Sequence, residues 1–279
     1  MNKKLKIIIP ALIVIVAIIV AVSFPLSSSI KLKSAQKKLL SQPFDMPENY
    51  LITAENGVYG QKENSLLYVK TAFDNGADCI EVDVVFDENG IPYICDNADE
   101  ISDSDAMPLE YLLHLVDSTS DYDGCSVNLH LIDASNLSMI DKLATKYNMT
   151  DRVFYTGIEL NQANYISSQS KIGFYLDYEL DKKKSDDTDY IQQVYLDINN
   201  CSAIGINCEV EGFSERLGDF LKENWLKVSF VDVDNKAEMY KALMFSPDQI
   251  ITPTPQEMRE VVDEWNINAP NESDTVVNE

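Results

Sequence analysis

Gly76-Ala-Asp-Cys-Ile-Glu-Val-Asp-Val-Val-Phe-Asp-Glu-Asn-Gly90 is the stretch on which the reading of this chain turns. A glycine of the kind that ends helices leads into a run of strand formers, and an Asn-Gly turn closes it. Side chains alternate across a strand, so Cys79, Glu81, Asp83 and Val85 share one face while Ile80, Val82 and Val84 share the other. The second face is wholly apolar, as a strand covered by helices requires. The first face points two carboxylates the same way. Inside an α/β sheet such neighbours must share a proton or hold a cation. The plain alternative is a structural acid pair, salt-bridged or on an edge strand.

On the amino-terminal side, Tyr50-Leu-Ile-Thr53 reads as a short strand ending in Ala54-Glu55-Asn56-Gly57. Glu63-Asn-Ser65 offers a helix cap, and Leu66, Val69 and Phe73 follow at helical spacing. On the carboxy-terminal side, Ile91-Pro-Tyr-Ile-Cys-Asp96 returns after the turn as a hairpin-like excursion, and a helix begins near Pro108. Cys125-Ser-Val-Asn-Leu-His-Leu-Ile132 is strand-like. From there helical stretches near 135–147, 159–168, 186–199, 213–224 and 236–245 alternate with strands near 152–156, 171–176, 202–207, 226–232 and 248–252. About eight strand–helix units predict an α/β fold closed as a (β/α)₈ TIM barrel. A doubly wound open sheet is the rival, and it lacks the glycine-rich nucleotide loop that usually marks it.

The chain has 279 residues, of which 45% are hydrophobic, enough for one barrel over 48–266. A net charge of −24 leaves no basic patch for nucleic acid. The five cysteines form no C-x-x-C pair and read as buried free thiols.

Lys3, Lys4 and Lys6 precede an uncharged run over 7–30, whose 18-residue core at 7–24 is dense in Ile, Val, Leu and Ala. As a helix that core would rise about 27 Å, near the thickness of a bilayer's hydrocarbon. Residues 1–30 are therefore expected to be a single transmembrane anchor, with a cleaved signal peptide as the alternative. The expectation places the protein in the cell membrane with its globular part outside the cytoplasm. Residues 31–47, with Lys31, Lys33, Lys37 and Lys38, read as a basic linker beside anionic headgroups or as a solvated spacer. Residues 267–279 read as a disordered acidic tail.

The motifs fall in the order of a known family. Glu63-Asn64-Ser65, the Gly-Ala-Asp-x-Ile-Glu-x-Asp-Val strand from Gly76, Asp96, Met107-Pro-Leu-Glu110 and the Ile250-Ile-Thr252…Pro255 ending resemble the glycerophosphodiester phosphodiesterases, over about residues 50–257. The Gly76 strand is the specific match; the others are individually weak. The resemblance implies a (β/α)₈ barrel that cleaves phosphodiesters. It also implies a divalent cation (Mg, Ca or Mn) on Glu81, Asp83 and a third carboxylate, two histidines that move protons, and an arginine and a lysine that bind phosphate.

This chain departs from that pattern where the chemistry lies. Glu55 and Asn56 stand for the family's first histidine and its arginine, so Asn56 is left as the substrate-binding candidate and Glu55 as the substitute acid or base. Cys95 stands for the second histidine. His130 and Ile132 fall on the family's Glu-x-Lys strand, Val231 about where its tryptophan would be, and Pro253 replaces its last aspartate. The only histidines are His114, on a helix, and His130. Losing a positioned acid or base costs roughly 10²- to 10⁴-fold. A forked guanidinium has no neutral equivalent for phosphate. The sequence thus predicts a barrel impaired in catalysis that binds a cation or a small phosphodiester or lipid-headgroup ligand. His130 would replace the third ligand, shifting the metal toward Mn or Zn, or it is an inward histidine hydrogen-bonded within the barrel. The rival is an active hydrolase using Glu55, whose acidic neighbours would raise its pKa.

Overall fold

The computed structural model describes residues 28–102 and 106–270. Most of the anchor expected over 1–30 and most of the tail expected over 267–279 lie outside the described residues. Among those described, no helix is long and apolar enough to cross a membrane.

The chain enters through helix α1, over 28–39. It then alternates through β1 (Leu51–Ala54), α2 (Leu66–Asp74), β2 (Cys79–Phe86), β3 (Pro92–Ile94), β4 (Met107–Pro108), α3 (Leu109–Ser118), β5 (Ser126–Leu131) and α4 (Leu137–Lys146). β6 (Val153–Thr156), α5 (Leu160–Gln169), β7 (Tyr175–Asp177), α6 (Thr188–Cys201), β8 (Gly205–Glu209), α7 (Glu215–Glu223), β9 (Lys227–Val231), α8 (Lys236–Leu243), β10 (Gln249–Thr252) and α9 (Pro255–Asn268) follow. β3 and β4 are an antiparallel excursion on the outer reach of β2.

The remaining eight strands run parallel and close on themselves. β1 pairs with β2 and β10, β2 with β5, and β5 with β6. β7 to β10 pair in sequence. The β6–β7 seam is held by a bridge between Tyr155 and Phe174 and by the Tyr155 N–H, which donates to the Gly173 carbonyl at 3.1 Å. This is the expected eight-stranded barrel, built from a central parallel-rich sheet.

The alternation read in β2 holds: Ile80, Val82 and Val84 are fully buried beneath the surrounding helices, while Glu81 and Asp83 are only partly covered. The Ser65 hydroxyl caps α2 by accepting the Tyr68 N–H at 3.2 Å. A Cβ on Gly205 would stand 1.9 Å from the Lys227 carbonyl oxygen, so β8 and β9 approach as closely as they do only with glycine there.

Two boundaries move. The segment expected as a linker over 31–47 is not a spacer, because α1 and the chain after it pack on the barrel. Leu39 is fully buried, Gln36 donates to Glu264 at 2.8 Å, and the Phe44 ring sits 4.9 Å from that of Trp265. The physical reason is that Leu32, Ala35, Leu39 and Leu40 make an apolar helical stripe behind the lysines. The tail begins later than residue 267, since α9 continues to Asn268.

Candidate functional site

In a parallel barrel the carboxyl ends of the strands gather at one mouth, and loop-borne groups converge there. β2 brings Glu81 and Asp83 to that end. Register sets their neighbours: Glu81 lies abreast of Asn128 and Asp83 abreast of His130 on β5. The Asn128 amide donates to Glu81 Oε2 at 2.8 Å, and its own carbonyl oxygen accepts the Thr156 hydroxyl at 2.9 Å. Asp83 Oδ2 accepts from the amides of Asn56 at 2.8 Å and Asn64 at 2.9 Å. Asn64 is buried and held in the left-handed region at φ 55°, which aims its side chain inward from the α2 cap. Its amide also donates to Asp96 Oδ1 at 2.5 Å, its carbonyl oxygen accepts the Asp83 N–H at 2.9 Å, and its backbone N–H donates to Asn56 Oδ1 at 2.8 Å.

Tyr68 ties β1 to the acid-bearing β2. Its hydroxyl lies 2.8 Å from the carbonyl oxygens of both Ala54 and Glu81, and it accepts the Glu81 N–H at 3.2 Å. On the far side of the mouth the Asn207 amide donates to Asp177 at 3.1 Å and accepts from Ser229 at 2.8 Å.

The electrostatics are one-sided. Burial, then the charges of Asp83, Glu55, Asp177 and Asp232, push the Glu81 carboxyl up to about 8. Burial, with Asp234, Asp232 and Glu63, raises Glu55 as well. Asp177 is raised by burial, against the pull of the Asn207 hydrogen bond and of His130. A cluster of carboxylates without a matching cation holds protons that isolated carboxyls would release.

Each residue singled out from the sequence has a place here. Glu55 follows β1 and acts electrostatically on Glu81. Asn56 bonds Asp83 directly rather than standing free for a substrate. Cys95 is buried beyond β3, where its thiol donates to the Asn97 carbonyl oxygen at 3.4 Å. Burial, then Glu100 and Asp96, push it up to about 11, which makes it a poor base or nucleophile at neutral pH. The ring of His130 lies against Gly157, where a Cβ would come within 2.9 Å of it. The expected trio of Glu81, Asp83 and His130 does not form. Among the described residues no three His, Cys, Asp or Glu side chains are placed to hold a metal together. The reason is register: the neighbour of Glu81 is Asn128, two residues before His130. Asn64, Asn128, Tyr68 and Asp177 were not read as site residues. The inward parity of Asn128 with His130 was the available signal for one of them.

A cavity of about 760 Å³ opens on the far side of Asn64 and Asp96, lined also by Cys95 and Tyr111; neither Glu81 nor Asp83 lines it. Oxygen-rich side chains thus gather at the barrel mouth with a cavity on one side of them.

No family profile matches the chain, and no curated protein matches it in sequence. Solved structures do. A Silicibacter pomeroyi DSS-3 protein assigned as a glycerophosphoryl diester phosphodiesterase superposes with a TM-score of 0.62 at 13% identity, covering 82% of this chain and 97% of that one. A glycerophosphodiester phosphodiesterase from Parabacteroides distasonis ATCC 8503 gives 0.57 at 16% identity, covering 77% and 98%. An Oleispira antarctica phosphodiesterase in complex with the product sn-glycerol-3-phosphate gives 0.55 at 17% identity, covering 78% and 97%. The chain has the fold of the glycerophosphodiester phosphodiesterases across nearly their whole length.

Proposed function

We propose that this chain is a membrane-anchored member of the glycerophosphodiester phosphodiesterase family that has lost phosphodiester cleavage and serves as a cation- or ligand-binding, regulatory barrel. The observation that carries the reading is the pairing at the mouth. Asp83 and Glu81 are held by the neutral amides of Asn56, Asn64 and Asn128, and the two slots assigned to proton-transferring histidines hold Glu55 and a high-pKa thiol, Cys95. Amides orient carboxylates but move no protons and carry no charge to a phosphate.

A divalent cation is the ligand proposed for the pair. Three His, Cys or carboxylate groups do not meet, yet the carboxylates of Glu81 and Asp83 form an oxygen donor set. Such a set suits Mg, Ca or Mn better than Zn. Glu81 and Asp83 would supply the charge, and the ion would offset the burial and the neighbouring charges that raise the Glu81 carboxyl. His130 belongs with Asp177 in this reading, not with the ion. A small phosphodiester or lipid headgroup would enter the neighbouring cavity.

Thermal melts of the purified chain in EDTA, Mg²⁺, Ca²⁺ and Mn²⁺ test the binding half, because an ion bound only by the folded state raises the melting temperature. The expected rise disappears in Asp83→Asn. Turnover of glycerophosphocholine or glycerophosphoglycerol at ordinary enzyme rates, abolished by Glu81→Ala, overturns the loss of catalysis. The second reading, an active hydrolase, is favoured by the raised carboxyl of Glu55 at the mouth. It requires that Glu55→Gln abolish a measured turnover while leaving the melting temperature in place.

A further inference from the structure

We infer that the barrel rests on a lipid bilayer with the face at the amino ends of its strands, anchored by Trp225, so that the mouth opens into water on the opposite side. The inference rests on the membrane reading above and adds an orientation to it.

Trp225 lies in the connection from α7 to β9, a position that the topology puts at the amino-end face. It is 93% exposed and sits at φ 60°, a backbone conformation that disfavours residues carrying a Cβ. Neither packing nor backbone preference accounts for an indole there. Ile267, in the last turn of α9 and 80% exposed, ends at the same face. A chain of contacts joins the two. Trp265, on the same helix as Ile267, packs its ring at a tilt against Phe44 and donates its indole N–H to the Gln42 carbonyl at 3.2 Å. Asp45, next to Phe44, pairs with Lys222 at 3.2 Å, and the Lys222 carbonyl accepts the Trp225 N–H at 3.1 Å.

The segment that makes these contacts follows α1, whose Lys31, Lys33, Lys37 and Lys38 are exposed. Three residues of sequence separate the apolar run over 7–24 from Ser28, the first described residue of α1. Gln36 and Leu39 of α1 dock against α9 near its carboxyl end, so an apolar run that enters a bilayer keeps the barrel close to it. Tryptophan and lysine are the residues that favour a bilayer's interface, and a cationic helix is drawn to anionic headgroups. The mouth gathers Glu55, Glu81, Asp83, Asp177 and Asp232 around one opening, and the amino-end connections carry exposed Asp74, Asp121, Asp123, Asp151 and Glu223, so charge alone does not set the two ends apart. With the mouth on the side away from the bilayer, its ligand is taken from the aqueous phase and not from the leaflet that holds the anchor.

The test is optical and independent of catalysis. The full chain is reconstituted into vesicles of phosphatidylcholine and phosphatidylglycerol whose acyl chains carry bromine near the headgroup. It contains two tryptophans, Trp225 and the buried Trp265. Bromine is expected to quench about half of the emission in the wild type, and Trp225→Phe to remove that quenching. A new reporter at the mouth rim, Leu160→Trp in the Trp225→Phe background, is expected to stay unquenched. Three results overturn the inference: wild-type emission indifferent to bromine in vesicle-bound protein, quenching that survives Trp225→Phe, or quenching of the Leu160→Trp reporter. A chain that fails to float with the vesicles overturns it as well. None of these outcomes bears on whether the site hydrolyses a phosphodiester.

Discussion

Glu81→Gln should make the protein more stable at alkaline pH, although it alters the most distinctive residue of the site. The carboxyl of Glu81 is raised from 4.5 to about 8 in the folded chain, chiefly by burial and then by Asp83. A carboxyl raised on folding contributes stability that is fully present below its unfolded value and is lost as pH climbs through the folded one. The wild type should therefore weaken between about pH 5 and pH 8–9. At about 1.4 kcal/mol per pH unit the full gap is worth at most about 5 kcal/mol. Glu81 keeps some contact with solvent and can relax, so about 2 kcal/mol is the realistic size. Glutamine keeps an acceptor for the Asn128 amide and carries no charge, so its variant should not lose this increment. For a domain of this size about 2 kcal/mol corresponds to roughly 4–8 °C in melting temperature. Melts of both proteins in EDTA from pH 5 to 9 measure it. The difference should be smallest near pH 5 and should favour the variant by several degrees at pH 9. A variant that melts below the wild type at pH 9, or a gap constant across the range, would refute the claim that Glu81 is a buried acid lacking a counter-charge.

Three further outcomes follow from the same geometry. Tyr68→Phe removes the hydroxyl between Ala54 and Glu81 and leaves the Glu81 N–H without its acceptor; denaturant unfolding should report a loss of about 1–3 kcal/mol. Arg259→Met breaks the pair with Asp78, two contacts of 2.7 Å at the end of the barrel away from the mouth. With both side chains about a third exposed, it should cost about 1–2 kcal/mol while leaving any cation-induced rise in melting temperature intact. Gly157→Ala places a methyl within 2.9 Å of the His130 ring at a backbone φ of 77°, so it should destabilise by about 1–3 kcal/mol and shift the His130 imidazole resonances in an NMR spectrum.

The barrel was legible because its signals are local. The β2 stretch carries its own alternation, cap and turn, and helix and strand spans read from periodicity fall within a few residues of those formed, as α4 at Leu137–Lys146 and β10 at Gln249–Thr252 illustrate. The site was only half legible. That Glu81 and Asp83 point together follows from a period of two. That Asn128 rather than His130 stands beside Glu81 follows from the stagger between β2 and β5, which neither strand encodes alone. Asn64 was visible as part of a helix cap, but its reach to Asp83 and Asp96 depends on a left-handed backbone turn.

Composition and pattern by themselves determined that this chain makes parallel strands under helices, that two acids share the inner face of one strand, and that only two histidines, His114 and His130, are present. Periodicity is a property of consecutive residues, and charge is a property of their sum. The tertiary structure alone decided that α1 packs on the barrel, that three asparagine amides take up the acid pair, and that acids from β1, β2, β7 and β9 or their ends crowd one opening. Those facts depend on distances between segments far apart in the chain, and such distances exist only once the barrel has closed.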